Sequence, residues 1–400
     1  MAIKNTSLTN MLDAEHQKNN QDLDLILSGN HYKKIAIVSD IIAQKEFAMR
    51  QDKLLFNMTN FPEKYLSLDC DKLSFNFKIS DVDYNQLSNQ ISKVKTLKKQ
   101  EVLKVRAHRV DNNSEIKKLG NLVVYIKCDL SLVSNPENSV SIFLGMRTGK
   151  KYGARVELTP SKFNDDELNT IFHHIQTVLG KTRYKQVMTS ARISRVDIGC
   201  NLVGIYKPII TLIPKYSYIR SCNSYPNRDK CANMYLNNSF IITESYYCGS
   251  MKSSHCLVYD KGLESQKRGV GLTNPITRIE YRHLLHKSRK SLKLNDLNKL
   301  EPKLQNYWFI APWVFKRLTK DTINILICNQ GLSSIKEGWR LARCELLTTS
   351  SELKGAIKKR KARYSIKGGW LRENQDKILK QYRDILINPK SKHLKLMQRE

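Results

Sequence analysis

The sequence lacks the features that mark several common protein classes. None of its nine cysteines forms a C-x-x-C pair, and their spacings match no structural zinc pattern. No stretch approaches the roughly 18 consecutive apolar residues of a membrane span. Residues 1–30 show no basic-then-apolar secretion signal. These absences predict a soluble cytoplasmic protein with free buried thiols and no membrane partner.

What the sequence has in excess is positive charge. Its 400 residues include 68 Lys and Arg against 37 Asp and Glu, which gives a formal net charge of +31. Because such a surface repels itself unless a polyanion screens it, nucleic acid is the favoured partner, although a merely basic or membrane-surface protein has the same charge. A hydrophobic share of 40% is enough for a sizeable core and argues against general disorder.

The pattern of apolar residues divides the chain into three regions. Residues 1–69 are predicted to be a helical extension, residues 70–290 a domain of strands with intervening helices, and residues 291–400 a basic helical region. The order of elements predicts an α+β fold, in which helices cover one face of a largely antiparallel sheet and helical regions flank it. Strands are expected at 73–79, 122–127, 140–144, 154–158, 195–198 and 276–282, a hairpin at 240–260, and helices at 81–95 (capped by Asp81) and 164–179.

Three of the predicted strands carry a base and an acid two residues apart. Alternate residues of a strand share a face, so each strand presents one such pair beside its neighbours. Converging carboxylates suit Mg²⁺ or Mn²⁺, and the arginines suit phosphate oxygens. Cross-strand salt bridging is the alternative that the pattern leaves open. The pairs are Arg155 and Glu157, Arg195 and Asp197, and Arg278 and Glu280 with Arg282 following.

The predicted hairpin contains a candidate nucleophile. Alternation places His255, Leu257, Tyr259 and Lys261 on one face. A phenol has a pKa of about 10 and attacks poorly unless cations or a metal favour the phenolate. Taken alone, Tyr259 is better explained as a packed strand tyrosine, since the chain has 18 tyrosines.

A dense cationic run lies in the predicted C-terminal region. We interpret it as a contact to DNA phosphates, although a solvated helix face has the same composition. The candidate contacts are Lys358, Lys359, Arg360, Lys361 and Arg363.

Six short blocks, in order along residues 70–285, make the sequence resemble the Rep_trans-type replication initiation factors, which are rolling-circle initiators of small plasmids and filamentous phages. The blocks are Leu73-Ser-Phe-Asn-Phe77, Arg155-Val-Glu-Leu-Thr-Pro-Ser-Lys-Phe163, Ser194-Arg-Val-Asp-Ile198, Tyr247-Cys-Gly-Ser-Met-Lys-Ser-Ser254, Leu257-Val-Tyr-Asp-Lys-Gly-Leu-Glu264 and Thr277-Arg-Ile-Glu-Tyr281.

The resemblance implies an origin-specific nicking and closing enzyme with Tyr259 as the nucleophile. It implies a Mg²⁺ or Mn²⁺ site at Asp197 and Glu280, with Glu157 as a third participant. From the expected geometry we add Lys261 and Arg278 as groups that stabilise charge at the phosphate, and Arg155 and Arg195 as DNA contacts.

The sequence also departs from the family pattern. Asn201 stands where relatives often carry a second acid, which puts the ligand set in doubt, and Tyr246 and Tyr247 are rival nucleophiles. The His-hydrophobic-His metal motif of other rolling-circle and relaxase enzymes is absent. So is a Walker A loop, so strand separation is expected to need a host helicase.

The sequence leaves three questions open. One is a non-enzymatic function as a repressor or melting initiator. Another is a relaxase-like nickase for element mobilisation. The third is whether the chain forms a homodimer.

Overall fold

The fold is seen in a computed structural model that describes thirteen stretches of the chain. These stretches are residues 45–93, 103–109, 118–119, 122–147, 151–215, 222–225, 245–249, 253–261, 275–285, 292–319, 322–323, 340–341 and 362–390.

Six α-helices lie in the described stretches: α1 (Lys45–Asn60), α2 (Pro62–Tyr65), α3 (Asp81–Lys93), α4 (Asp165–Leu179), α5 (Lys181–Ser190) and α6 (Gly368–Ile387). Fourteen strands accompany them: β1 (Leu68–Lys78), β2 (Leu103–Arg109), β3 (Lys118–Leu119), β4 (Leu122–Leu132), β5 (Asn135–Arg147), β6 (Lys151–Leu158), β7 (Arg192–Val203), β8 (Leu212–Pro214), β9 (Cys222–Tyr225), β10 (Ser245–Cys248), β11 (His255–Asp260), β12 (Ile276–Leu284), β13 (Tyr307–Ile310) and β14 (Arg363–Tyr364).

These strands form one large sheet and one small sheet. The large sheet has 11 strands in the order β2-β4-β5-β6-β1-β7-β12-β11-β10-β9, with β3 paired to β4. The ladders of β2, β4, β5, β6 and β1 are antiparallel, as are those of β9, β10 and β11. The small sheet has the order β14-β13-β8. The predicted α+β class with a largely antiparallel sheet is therefore confirmed, and every predicted strand lies within or overlaps an observed one.

The chain forms two compact units, each assembled from three separate stretches of the sequence. We call residues 68–199, 281–302 and 371–400 the sheet unit, and residues 1–67, 200–280 and 303–370 the hairpin unit. The predicted boundaries near 69 and 290 lie close to two of the crossings. The crossing within β7 and the late return at 370 were not anticipated from the pattern of apolar residues.

The core of the sheet unit follows from alternation along its strands. On β6, Ala154, Val156 and Leu158 are buried, whereas Arg155 and Glu157 between them are only partly buried. The apolar side chains pack with those of neighbouring strands and of α4, α5 and α6 into one cluster. The polar side chains, including Arg155 and Glu157, are thereby left on the other face of the sheet.

Helix α4 has the start and the packing face that its sequence predicts. Asn164 accepts a hydrogen bond from the Glu167 amide, and the Glu167 carboxylate accepts one from the Asn164 amide, which completes a capping box. The stripe that begins with Leu168 and Ile171 is buried in the core. Gly180 follows the helix with φ of 78°, a conformation that favours glycine.

The start of α3 corrects one prediction, because Ser80 and not Asp81 caps the helix. The Asp83 amide donates to the Ser80 hydroxyl, and the Ser80 amide donates to the Asp83 carboxylate. The Arg183 guanidinium holds both oxygens of Asp83, with Nη2 2.6 Å from Oδ2. Burial raises the pKa of Asp83, but hydrogen bonds from Arg183 and Ser80 outweigh it and hold the pKa below its ordinary value of 3.8.

We expect Asp83→Asn to lower the free energy of unfolding by roughly 2–4 kcal/mol at neutral pH. The variant lacks the charged carboxylate that accepts hydrogen bonds from the Ser80 amide at the helix start and from the Arg183 guanidinium. A depressed folded-state pKa contributes stability above the unfolded value, and this is lost as pH falls through the folded pKa. The gap between wild type and variant, measured by urea denaturation, should therefore close in acid below pH 3.8. A gap that stays constant down to the acid limit would contradict this assignment. Asp81→Asn, an exposed neighbour, is the matched control.

In the hairpin unit, α1 is tied to its surroundings by the buried Gln51 and the partly buried Asp52. Gln51 donates to the Gly204 carbonyl and accepts from the Tyr206 amide, both at 2.9 Å. Asp52 accepts from the Tyr364 hydroxyl at 2.9 Å and from the Trp313 amide at 3.3 Å. The bond between Asp52 and Tyr364 fixes α1 against β14. The fold therefore determines which side of α1 faces solvent.

Five cysteines in the described residues are free and buried, as the sequence predicted: Cys70, Cys128, Cys200, Cys248 and Cys256. Burial raises the pKa of Cys70 well above its ordinary range and that of Cys128 to about 12, so these thiols are protonated and unreactive near neutral pH. Within the described part of the chain, no helix is long and apolar enough to cross a membrane.

Candidate active site

The predicted site residues divide between the two units. Arg155, Glu157, Arg195 and Asp197 belong to the sheet unit, together with Arg282. The hairpin unit holds Asn201, Tyr246, Tyr247, Tyr259, Lys261, Arg278, Glu280 and Arg363.

Glu157 on β6 is held by two cations. Its Oε1 accepts from Arg155 Nε at 2.7 Å, and its Oε2 lies 2.8 Å from Lys72 Nζ. Burial raises the pKa of Glu157, but the contacts to Lys72 and Arg155 outweigh it, and the net pKa lies below the ordinary value. Glu157 is therefore ionised at neutral pH, with its charge already balanced by protein groups.

Asp197 on β7 is the most buried acid of this group, with 2% of its side chain exposed. Arg195 Nε donates to both carboxylate oxygens at 2.8 and 2.9 Å, and Arg195 Nη2 makes a further close contact. Arg282 Nε lies 3.5 Å from Oδ2. Two guanidinium groups thus share one carboxylate, so the three groups together carry one net positive charge.

A third pair lies on β4, where Lys127 Nζ is 2.6 Å from Asp129 and the Ser141 hydroxyl donates to the same carboxylate at 2.5 Å. The antiparallel register pairs Asp129 with Ser141 and Ser141 with Glu157, so these positions share one side of the sheet. We call this polar side of the sheet the polar sheet face. Its charged members are Lys72, Lys127, Asp129, Arg155, Glu157, Arg195, Asp197 and Arg282.

The polar sheet face is cationic where it meets solvent. It carries five cations and three acids, and each acid has a cationic partner that is more exposed than the acid itself. The exposed fraction is 28% for Arg195 and 24% for Arg282 against 2% for Asp197. It is 29% for Lys72 against 18% for Glu157. Arginine and lysine presented in this way suit phosphate oxygens, because the buried acids orient them without neutralising them fully.

The ion pairs bear on the two readings that the sequence left open. Salt bridging is present in the described residues, as the structural alternative expects. Several of these charged groups are nevertheless removed from solvent. Asp197 is buried in the sheet unit, and Arg278 and Glu280 are 2% and 3% exposed in the hairpin unit. Buried charges of this kind need partners. Asp197 has Arg195 on its own strand and Arg282 on β12.

Tyr259 lies on β11 of the predicted hairpin, and its side chain is partly exposed. The Lys261 ammonium is 5.8 Å from the centre of the Tyr259 ring. The hairpin turns at Gly249, which has φ of 117° and where an added Cβ would lie 2.9 Å from the His255 Cβ. Glycine at this position therefore permits the close approach of β10 and β11 that sets the register of Tyr259.

The register also separates the rival tyrosines. Tyr247 pairs with Leu257, so it is on the same side of the hairpin as Tyr259 and diagonal to it. Tyr246 pairs with Val258, one position out of phase. The centres of the Tyr247 and His255 rings lie 5.5 Å apart. Of the two rivals, Tyr247 is the one that shares a face with Tyr259.

Arg278 on β12 is among the largest fully buried side chains of the described residues, and its Nη1 donates to Asn201 Oδ1 at 2.7 Å. At position 201, where the resemblance led us to look for a second acid, the protein has an amide that accepts a hydrogen bond from an arginine. This hydrogen bond engages the Asn201 oxygen as a partner of Arg278.

The donor chemistry of the candidate metal ligands fits Mg²⁺ or Mn²⁺, since all are carboxylates and each carboxylate has lone pairs beyond those its cations use. No group of three or more His, Cys, Asp or Glu side chains in the described stretches is placed to hold a metal ion.

Of the candidate DNA contacts in the C-terminal cationic run, Arg363 lies in the described part. Its guanidinium lies 3.8 Å from the centre of the Trp308 ring, stacked on β13. Lys358, Lys359, Arg360 and Lys361 lie outside the described residues.

Sequence reasoning missed Lys72, Lys127 and Asp129. Lys72 meets Glu157 only because Ser74 pairs with Glu157 across β1 and β6. No local pattern encodes that register. Lys127 and Asp129, two apart on a strand, do repeat the spacing of the predicted pairs, and that spacing was a usable signal.

No protein-family model matches the chain, and no curated protein matches it either.

Proposed function

We propose that this chain is a rolling-circle replication initiator that nicks and closes one DNA strand at an origin through a covalent link to Tyr259. The observation that carries the proposal is the hairpin, which presents a partly exposed Tyr259 with the Lys261 ammonium against its ring. A positive charge beside a phenol favours the phenolate, which is the attacking form.

In the proposed step, the Tyr259 oxygen attacks the phosphorus of a phosphodiester. A bond forms between that oxygen and phosphorus, and the bond from phosphorus to the 3′ oxygen breaks. The phenolic proton leaves to solvent, and the departing 3′ oxygen takes up a proton. The phosphotyrosine link conserves the bond energy, so the reverse attack by a 3′ hydroxyl rejoins the strand. The free 3′ hydroxyl is the end that a polymerase extends.

The polar sheet face is proposed to hold the DNA backbone. Arg155 and Arg195 are its candidate phosphate contacts, and their carboxylate partners fix the direction of each guanidinium. Bound Mg²⁺ or Mn²⁺, if held by Asp197, Glu280 and Glu157, would supply stabilisation of charge on the phosphate oxygens. Arg278 is proposed to act in the same direction from within the hairpin unit.

The decisive experiment is to capture the covalent product. Supercoiled DNA carrying the candidate origin is incubated with the full-length protein and Mg²⁺ or Mn²⁺. The expected result is open-circular DNA with protein attached after denaturation, and none in EDTA. Nuclease and protease digestion followed by mass spectrometry should then place the nucleotide on Tyr259. Attachment at Tyr247 or Tyr246 would reassign the nucleophile and retain the reaction class.

A non-enzymatic DNA-binding function is the second candidate, and one observation favours it. Asp129, Glu157 and Asp197 are each paired with cations of the same face. A face built only to bind phosphate needs no free acid. Tight origin binding with no nicking in either metal would favour a repressor or a melting initiator. Nicking at a transfer origin in place of a replication origin would indicate element mobilisation by the same chemistry.

A further inference from the structure

The described residues expose five large hydrophobic side chains, and three of them lie on α1 or directly after it. Met49, Phe56 and Phe61 are each just over 40% exposed. Met49 and Phe56 are seven residues apart, so they lie on one stripe of the helix. The opposite face of α1 packs inward through Ala48, Leu55 and Met58.

Lysines line this stripe. Lys64 and Lys367 place their ammonium groups 5.9 and 5.5 Å from the centre of the Phe61 ring. Lys316 Nζ is 3.6 Å from Met49 Sδ, and exposed Lys53 lies between Met49 and Phe56 along the helix. Two exposed acids, Glu46 and Glu63, belong to the same segment. We call the set of Met49, Lys53, Phe56, Phe61, Lys64, Lys316 and Lys367 the aromatic–lysine ridge.

The Phe56 ring of the ridge is held in place by a neighbouring aromatic ring. The Phe56 ring meets Tyr364 edge-on at 5.7 Å and 75°. The Tyr364 hydroxyl donates to the Asp52 carboxylate, which also accepts from the Trp313 amide. A ring fixed in this way loses little further entropy when a flat ligand stacks on it.

The composition of the ridge selects its partner. Exposed rings interleaved with cations suit unstacked bases and the phosphates that join them. Protein–protein interfaces are depleted in lysine, so four lysines around three apolar side chains argue against a protein partner. Insertion into a membrane would need a free amphipathic helix, whereas the inner face of α1 is already packed.

We propose that the aromatic–lysine ridge binds single-stranded DNA without strong sequence preference, by stacking of bases on Phe56 and Phe61 and by phosphate contacts from the lysines. The site uses none of the residues assigned to nicking. It holds whether or not Tyr259 is a nucleophile.

The test is an anisotropy titration of labelled oligothymidylate with the full-length protein in EDTA, where metal-dependent cleavage cannot occur. The double variant Phe56→Ala/Phe61→Ala is expected to lose affinity by about tenfold for each ring. The matched control is Val82→Ala/Val133→Ala, which removes the other two exposed hydrophobic side chains and should bind as wild type does. Thermal unfolding of each variant checks that the fold is kept.

Two further comparisons separate stacking from other kinds of binding. Phe61→Tyr should keep the affinity and Phe61→Leu should lower it, because only the ring offers a flat π-face. Lys64→Ala/Lys367→Ala should lower the slope of log affinity against log salt by about 1.4, that is about 0.7 for each phosphate that the protein no longer neutralises. Lys377→Ala/Lys380→Ala on α6, also exposed, should have a smaller effect on affinity than the Lys64/Lys367 variant.

Unchanged affinity in the Phe56→Ala/Phe61→Ala variant overturns the proposal, and so does full affinity in Phe61→Leu. An equal loss on duplex DNA, or tighter binding of oligouridylate, would show a different nucleic acid on the ridge. Binding to phosphatidylserine vesicles that depends on both rings would show a membrane surface. If the protein binds oligothymidylate through the ridge and never nicks DNA, the proposed nicking function is wrong and the ridge proposal stands.

Discussion

The Tyr259→Phe variant is expected to form no covalent protein–DNA product and to nick origin DNA at least about a thousandfold more slowly than wild type. Phenylalanine keeps the ring that Lys261 faces at 5.8 Å, and removes only the oxygen that forms the phosphotyrosine bond. The measurement is the rate of open-circular product in Mg²⁺, with denaturation before electrophoresis. DNA affinity should stay close to that of wild type, because a ring of the same shape remains on β11.

Tyr247→Phe is the matched control for this variant. Tyr247 is on the same side of the hairpin and diagonal to Tyr259, and its variant likewise removes one phenolic hydroxyl and keeps the ring. We expect it to nick at close to the wild-type rate. If the two variants lose activity equally, the two hydroxyls act together. If Tyr259→Phe nicks normally, the assignment of the nucleophile is wrong.

The Asp197→Ala variant is expected to be the most destabilised single replacement on the polar sheet face, by roughly 3–5 kcal/mol. The destabilisation comes from what remains, since Arg195 and Arg282 would keep two guanidinium groups beside an empty buried position. The free energy of unfolding, measured by urea denaturation at neutral pH, tests this directly.

Asp129→Ala is the comparison for Asp197→Ala, because it removes an acid of the same face. Asp129 is 17% exposed and has one cationic partner, Lys127. Asp129→Ala should lower the free energy of unfolding by less, about 1–2 kcal/mol, since solvent reaches both Asp129 and Lys127. Equal destabilisation of the two variants would contradict the role given to burial. Asp197→Asn adds a further distinction: a stable but inactive protein would point to a role of the carboxylate in the reaction itself.

The local features of the fold were accessible from the sequence. The capping box of Asn164 and Glu167, the apolar stripe that follows it and the stop at Gly180 are all encoded within a few residues. The alternation around Arg155 and Glu157 correctly gave a strand and its two faces. The hairpin of β10 and β11 was predicted from alternation and a turn containing Gly249.

Features that depend on pairing over long distances were not accessible. Lys72 reaches Glu157 through a register between β1 and β6, and Arg282 reaches Asp197 from a different strand. Burial of Arg278 was missed because alternation predicts a face and does not say what covers it. Strand β2, with charged residues at every second position, and the four-residue β13 carry too little apolar signal to be found alone.

The path of the chain limits how this protein can be rearranged by recombination. The chain passes between the sheet unit and the hairpin unit five times, after residues 67, 199, 280, 302 and 370. A crossover near residue 300 would replace β13 and β14 in one unit, and α6 with its core residue Leu379 in the other. Exchange of the C-terminal quarter between genes therefore disturbs two cores at once. We expect new DNA specificity to arise by substitutions on existing surfaces more readily than by the acquisition of a foreign C-terminal segment.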